Sequence, residues 1–275
     1  MRERVATVSR LTLPNGSTIH SINRNESRYL YQEIFEDRVY LHPAAFRIPP
    51  HPVVFDIGAN IGLFTLFCES ELEAGEIHSF EPVPDIFRVL AKNLESSAVA
   101  HPHEVAVGNG NYSSSIRYYP HYTMMSGFTA DPTRDLETVK NYVLKTMDDE
   151  NDHSVTAQEL DQILAGRFEQ VTVPCRVETL TTIVERLRTE RIDLLKIDVE
   201  GHELAVLEGM DRDIWSRVAH AVVEVSDTQG ELDRARRLFE EHGMRAESSQ
   251  VLGYRGTNLY MLYGWRPENG SPAGR

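Results

Sequence analysis

Between residues 53 and 226, short apolar runs of strand length alternate with longer stretches in which apolar positions recur at helical spacing. The short runs are VVFDIG from 53, EIHSFEP from 76, EVAVGN from 104, DLLKIDVE from 193 and HAVVEVS from 220. Residues 62–72, 84–96, 178–190 and 230–242 have the helical period, the last with Leu232, Ala235, Leu238 and Phe239 on one face. Strands alternating with helices predict a parallel sheet covered by helices. Two more strand candidates, MRAESSQVLG and NLYMLYGW, follow closely with a Gly-containing turn between them, so antiparallel pairing is expected. The expected fold is α/β: a doubly wound, mainly parallel sheet with a C-terminal antiparallel hairpin over residues 51–265, carrying an N-terminal extension and a lid insert.

The flanks read differently. Residues 1–50 form the extension, with a strand-turn-strand pattern in LTLPNGSTIHSI, whose turn holds Pro14, Asn15 and Gly16. A short helix is expected in YLYQEIFEDRVY, and Pro43, Pro49, Pro50 and Pro52 close the segment. The terminal RPENGSPAGR, residues 266–275, is expected to be a disordered tail. Residues 119–168 interrupt the rhythm with a stretch too long for a simple link, which marks a functional lid or insertion. Its acidic run DDEND at 148–152 reads as solvated surface. Tyr122, Met124, Met125, Ser126 and Phe128 are the candidate substrate lid, with the methionines as an adaptable apolar wall.

Charge narrows the partners. With 28 basic and 42 acidic residues the net charge is −14, which repels both a phosphate backbone and an anionic membrane surface. Cys68 and Cys175 are the only cysteines, too few for a disulfide framework or a CxxC metal site. With no signal-like apolar core in MRERVATVSRLTLPNG and no window near the ~18 apolar residues of a membrane span, a soluble cytoplasmic protein is expected.

The first strand runs into FDIGANIG, residues 55–62, where Gly58 and Gly62 sit four apart at a strand-to-helix turn. Such glycines let the backbone and the N–H groups of the new helix approach a ligand; a tight βα turn alone would also account for Gly58. Asn60 stands where the dinucleotide pattern has its middle glycine, and Asp56 sits two before the first. A carboxylate there suits an α-amino group or another cation better than a pyrophosphate. At the tip of the second strand, Glu81 lies 23 residues after Gly58, where an acid accepts ribose hydroxyls; a solvated strand-end Glu is the alternative. Together these point to an adenosyl ligand whose other end is not strongly anionic.

In this order FDIGANIGLFT, FEP, VAVGN and LKIDVEGHELAVLEG resemble the FkbM family of S-adenosylmethionine-dependent methyltransferases, over roughly residues 28–262. The resemblance implies a class I Rossmann-like fold, S-adenosyl-L-methionine as cofactor and S-adenosyl-L-homocysteine as product. It also implies O-methylation of a hydroxyl on a small-molecule or carrier-bound natural-product intermediate: a polyketide, a nonribosomal peptide or a sugar. Asp56, Gly58 and Asn60 would then surround the methionine part, Glu81 the ribose and Ala106 the adenine, with Gly62, Thr65, Pro82 and Asp198 completing the cofactor site. The stretch around Tyr31, Glu33 and Phe35 would close over the cofactor.

The fourth strand delivers LKIDVEGHE, crowding Lys196, Asp198, Glu200, His202 and Glu203 at the carboxyl end of the sheet, where open α/β folds bind ligands. A salt-bridged helix cap of Lys196, Asp198 and Glu203 is the structural alternative. His202 is the candidate base, its pKa class suiting removal of a hydroxyl proton near neutral pH, with Asp198 or Glu200 to orient its ring. Glu224 and Asp227 end the fifth strand beside the same edge. Asp198 and Glu224 could orient base and acceptor or hold a divalent cation, but no complete ligand set is recognisable and no metal is assigned. His101 and His103 read as surface residues before a strand. A nicotinamide-dependent reductase and a noncatalytic adenosyl-binding module are the competing classes.

Overall fold

The computed structural model describes residues 8–42, 44–149, 156–164, 166–250 and 257–267. Strands β1 (Ser9–Thr12) and β2 (Thr18–Ser21) form the expected hairpin, turned at Gly16 with φ of 86°. Helix α1 (Arg24–Tyr31) begins earlier than the aromatic run suggested, because the Asn23 side chain caps it by accepting from the N–H groups of Asn25 and Glu26. It continues as a π-helical turn, Gln32–Glu36. Leu11, Ile19, Tyr31, Ile34 and Tyr40 are buried in the same cluster as Val54, Phe64 and Phe67, so this segment is packed into the core.

The core follows as β3 (Val53–Ile57), α2 (Leu63–Glu71), β4 (Glu76–Phe80), α3 (Pro84–Asn93) and β5 (Ala100–His103). The edge strand thus precedes the expected EVAVGN. His101 and His103 lie inside β5 instead of before a strand: His103 stacks on Phe80 and its Nε2 sits 3.0 Å from Nδ1 of His78. Strand β6 (Ala106–Gly108) leaves the main sheet for a smaller one, formed with β7 (Tyr112–Tyr118) and β8 (Val171–Thr179). Neither β7 nor β8 was expected. Serines and an arginine dilute the pattern of β7, and Pro174 interrupts β8 at a position that β6 does not reach, where a strand edge tolerates proline.

Between β7 and β8, the insert holds a 3₁₀ turn at Thr123–Met125 and helices α4 (Pro132–Asp149) and α5 (Ala157–Leu164). Tyr119, Ala130, Val139, Leu160, Leu164 and Phe168 give it a small buried cluster of its own. Residues 150–152 of the acidic run lie outside the described residues.

The chain continues with α6 (Leu180–Leu187), β9 (Ile192–Ile197), α7 (Glu203–Glu208), α8 (Arg212–Arg217), β10 (Val218–Ser226), α9 (Glu231–Glu241), β11 (Arg245–Ser249) and β12 (Leu259–Trp265). The seven-stranded sheet has the order β11-β12-β10-β9-β3-β4-β5. Strands β3, β4, β5, β9 and β10 pair in parallel; β12 is antiparallel to both β10 and β11. The expected antiparallel pair is therefore there, with its second strand wedged inside the sheet; the expected turn falls mostly in residues 251–256, outside the described residues. Strand β9 is buried throughout, as a strand covered on both faces must be. Of the expected tail, Arg266 is docked, its guanidinium donating to the carbonyls of Trp215, Val218 and His242; residues 268–275 lie outside the described residues. No described helix is long and apolar enough to cross a membrane.

Candidate active site

The site begins with the turn after β3. The N–H groups of Gly58 and Ala59 both donate to the Phe80 carbonyl at 3.0 Å, tying the turn to the end of β4. At Gly58 φ is +81°, and a Cβ would stand 1.7 Å from the Asp198 carbonyl oxygen, so only glycine allows this approach to β9. The Asn60 N–H donates to Oε2 of Glu81 at 3.1 Å, while Oε1 accepts from the Val83 N–H at 2.8 Å. Each oxygen keeps a lone pair for a further donor. Burial pushes the Glu81 carboxyl up to about 7.

Beneath this turn lies a buried polar network. Asp56 is fully buried, accepts from the Thr65 hydroxyl at 2.8 Å and pairs with the Lys196 ammonium at 3.2 Å. Lys196 also pairs with Asp198 at 3.4 Å and donates to the Gly58 carbonyl at 2.7 Å. Burial alone would depress this ammonium, but Asp56 and Asp198 outweigh it and raise its pKa. Asp56, Gly62, Thr65 and Lys196 are therefore not on the cleft where the sequence reading had them. Alternation along β3 turns Asp56 away from the cleft, Gly62 abuts Leu90, Thr65 on α2 is buried with its hydroxyl on Asp56 and Ser79, and Lys196 is spent under the Gly58 turn.

Above the carboxyl ends of the strands is a cleft lined by Gly58, Asn60, Glu81, Pro82, Ala106 and Asp198, joined by Met124, Ser126 and Phe128 from the insert. Ile86, Val105, Val107 and Ile116 form its apolar side, and Glu33, Glu200 and Glu224 its acidic end. These residues fit an adenosyl ligand. A strand-tip carboxylate with spare lone pairs meets ribose hydroxyls, the apolar side takes an aromatic base, and the acidic end takes a cationic amino acid part.

A second cleft of about 610 Å³ opens between the insert and the ends of β10 and α9. Tyr122 and Met125 line it, with Thr138, Val139, Ile163, Leu204, Val225 and Leu259. Met124, Glu200 and Glu224 line both clefts. Asp198, Glu200 and Glu224 each bring a carboxylate oxygen within 4.8 Å of the others, a spacing a divalent cation could also use. Burial and neighbouring carboxylates raise the pKa of Glu200 and Glu224 well above the usual range. Glu200 adopts φ of +55°, and its turn is held by Oε1 of Glu203, which accepts from the N–H groups of Val199 and Gly201. A non-glycine residue in left-handed backbone beside a cleft marks stored strain of the kind found at functional sites.

His202 lines only the first cleft. Its Nε2 is buried with no hydrogen-bond partner, and its ring sits 4.7 Å from Phe128. Burial lowers its pKa, so the ring is neutral near pH 7. Neither Asp198 nor Glu200 orients it, contrary to the sequence reading: Oδ2 of Asp198 accepts from the Tyr40 hydroxyl at 2.9 Å and faces Lys196. Asp227 is spent capping α9, its Oδ1 accepting from the Gly230 N–H.

A methyltransferase FkbM domain model matches residues 56–246. The chain is 35% identical to the 31-O-demethyl-FK506 methyltransferase FkbM of Streptomyces tacrolimicus, over 93% of this chain and 96% of that protein. It belongs to the FkbM methyltransferase family. It is also 34% identical to the AMB antimetabolite synthetase AmbE of Pseudomonas aeruginosa, over 93% of this chain but only 12% of AmbE. Among solved structures, a methyltransferase FkbM from Methylobacillus flagellatus shares the fold with a TM-score of 0.52, at 13% identity over 82% of this chain and 46% of that one. The fold class is that of class I Rossmann-like methyltransferases, and the family is S-adenosylmethionine-dependent.

Within this FkbM-family chain, three contributors escaped the motif reading. Tyr40 reaches Asp198 from 158 positions away, and the Lys196 ammonium stands 5.4 Å from its ring centroid. Glu26 is buried against the insert, and Leu30 joins Glu33 on the cleft wall. Tyr31 and Phe35, grouped with Glu33 on resemblance, instead stack on each other at 4.7 Å, away from the cleft. The spacing of Glu26, Leu30 and Glu33, four and then three residues apart as on one helical face, was the available signal for Glu26; nothing local marked Tyr40.

Proposed function

We propose that the chain is an S-adenosylmethionine-dependent O-methyltransferase acting on a hydroxyl of a natural-product intermediate, free or carrier-bound. The observation that carries the reading is the meeting of the two clefts at Met124, Glu200 and Glu224. The first is read as the cofactor cleft and the second, whose volume is within the usual range for organic ligands, as the acceptor cleft. The Streptomyces relative, a 31-O-demethyl-FK506 methyltransferase, supports an oxygen acceptor; the likeness to a short part of AmbE, an antimetabolite synthetase, is consistent with an acceptor made by a synthetase.

Gly58, Asn60, Glu81, Pro82, Ala106 and Asp198 would hold S-adenosylmethionine, which supplies an activated methyl group when bound. The chain's own task is then to orient an acceptor oxygen, remove its proton and keep water out. Orientation contributes much of the rate, about 7–11 kcal/mol in favourable intramolecular cases. The acceptor proton goes to the Glu200–Glu224 pair, the only titratable residues among those described that line both clefts. His202, on the cofactor side alone, serves as wall in place of the base role suggested by its sequence position. Met124 and Phe128 exclude water from above.

Two measurements test this. Calorimetry should show S-adenosylhomocysteine binding, and mass spectrometry after incubation with hydroxylated acceptors should show a gain of ~14 Da, one methylene's worth of mass. An enzyme that binds no S-adenosylhomocysteine, or methylates amines only, would contradict the proposal.

A further inference from the structure

We infer that Glu26 on α1 is a positioning residue that fastens the tip of the insert over the cofactor cleft and so fixes the wall between the two clefts; the cleft names rest on the methyltransferase reading. Glu26 is 5% exposed, and no salt bridge joins it to a cation among the described residues. A buried carboxylate without a cation must be met by hydrogen bonds or it is costly. Here Oε2 accepts from the Thr123 hydroxyl at 2.8 Å, the Thr123 N–H at 2.9 Å and the Met124 N–H at 3.3 Å, and Oε1 accepts from the Asn23 amide at 2.6 Å. Three of the four donors come from the 3₁₀ turn of the insert, 97 or 98 residues along the chain.

The dependence runs both ways. The 3₁₀ turn is flanked by the Arg117–Gly127 bridge and by the bond from the Tyr119 N–H to Ser126 Oγ, but the first N–H groups of a helical turn need a partner from outside it. Glu26 is that partner. Met124, whose N–H it holds, lines both clefts, and the Thr123 hydroxyl also accepts from the Asn60 amide at 3.4 Å. Asn60 in turn donates its backbone N–H to Glu81. One carboxylate on α1 thereby joins the insert tip to the loop that carries the cofactor contacts.

Hydrogen exchange on the purified chain reads this directly, because two of the bonds are amide N–H groups. In Glu26→Ala, protection over residues 122–126 should fall at least ~10-fold while β9 and α9 keep theirs. Glu26→Gln keeps one oxygen that can accept from the tip, so it should retain most of the protection. With S-adenosylhomocysteine as probe, Glu26→Ala should release the ligand about 10-fold faster, the Gln variant less. Unchanged tip protection in Glu26→Ala, or equal loss in the Ala and Gln variants, would overturn the inference. Should Glu26→Ala not fold, Thr123→Val removes one of the three bonds; undiminished tip protection there overturns it as well. A wild-type chain that fails to bind S-adenosylhomocysteine would sink the methyltransferase reading and leave the exchange result standing.

Discussion

Replacing Lys196 by Met separates a structural role from a chemical one. The ammonium is 3% exposed and lies 3.2 Å from Asp56, which is itself fully buried, and 3.4 Å from Asp198. Methionine fills a similar volume but strands the Asp56 carboxylate in the core with the Thr65 hydroxyl as its remaining donor. Breaking a buried pair from one side costs about 3–5 kcal/mol. For a chain of this size each kcal/mol is worth roughly 2–4 °C, so Tm should drop by roughly 6–20 °C. Urea titration gives the free energy, and a midpoint shift at constant slope identifies a stability effect. Lys196→Met combined with Asp56→Asn removes both charges and should recover more than ~1 kcal/mol relative to the single variant, as coupled neighbours do. A loss below ~1 kcal/mol in Lys196→Met, or strict additivity in the double variant, would refute the claim that the pair is structural.

Four further outcomes follow from the same geometry. Glu224→Gln should lower kcat by about 10²–10⁴, while His202→Ala changes it less than ~10-fold and EDTA leaves the wild type active; steady-state methyl transfer distinguishes the base from the wall and from a cation. Glu81→Ala should weaken S-adenosylhomocysteine at least ~10-fold by calorimetry with little change in melting, the reverse of the pattern expected for Asp56→Asn. Ile163, 52% exposed on the second cleft, should when changed to Asp raise the acceptor KM with cofactor affinity intact if that cleft seats the acceptor as proposed. Burial raises Glu203 from 4.5 to about 7, so the proton it binds on folding adds stability below pH 4.5 that is lost as pH rises through 7. Removing that contribution in Glu203→Gln should flatten the stability difference between pH 5 and 8 by about 2 kcal/mol, measured by urea titration.

Most of the parallel core was legible because its central strands are buried and read as short, mainly apolar runs: DLLKIDVE covers β9 from its second residue and overruns its end by three, whereas the edge strand β5, AHPH, carries no such run. Strands β7 and β8 were not, since their sheet has a solvated face and alternates weakly. Gly58, Asn60 and Glu81 could be placed on the cleft because a turn and a strand tip fix them locally. Asp56 could not, for the direction of a strand residue depends on which face carries the ligand, and the neighbouring Gly58 drew attention to the wrong one. Glu200 and Glu224 were among the residues expected at the strand tips, but their shared position between two clefts depends on where the insert settles, which no local pattern encodes.

Tyr118 on β7 pairs with Val171 on β8, so the insert departs from the core and rejoins it on one rung of a ladder. Of its described residues from Thr129 onward, those that line a cleft line the second and not the first. Closing a longer excursion between the same posts costs little, about 0.6 kcal/mol for each doubling of length. The molecule thus carries an exchangeable cassette beyond the insert tip: a different pair of helices can be grafted after Phe128, redrawing what docks in the second cleft, while Met124, Ser126 and Phe128 keep their places on the first.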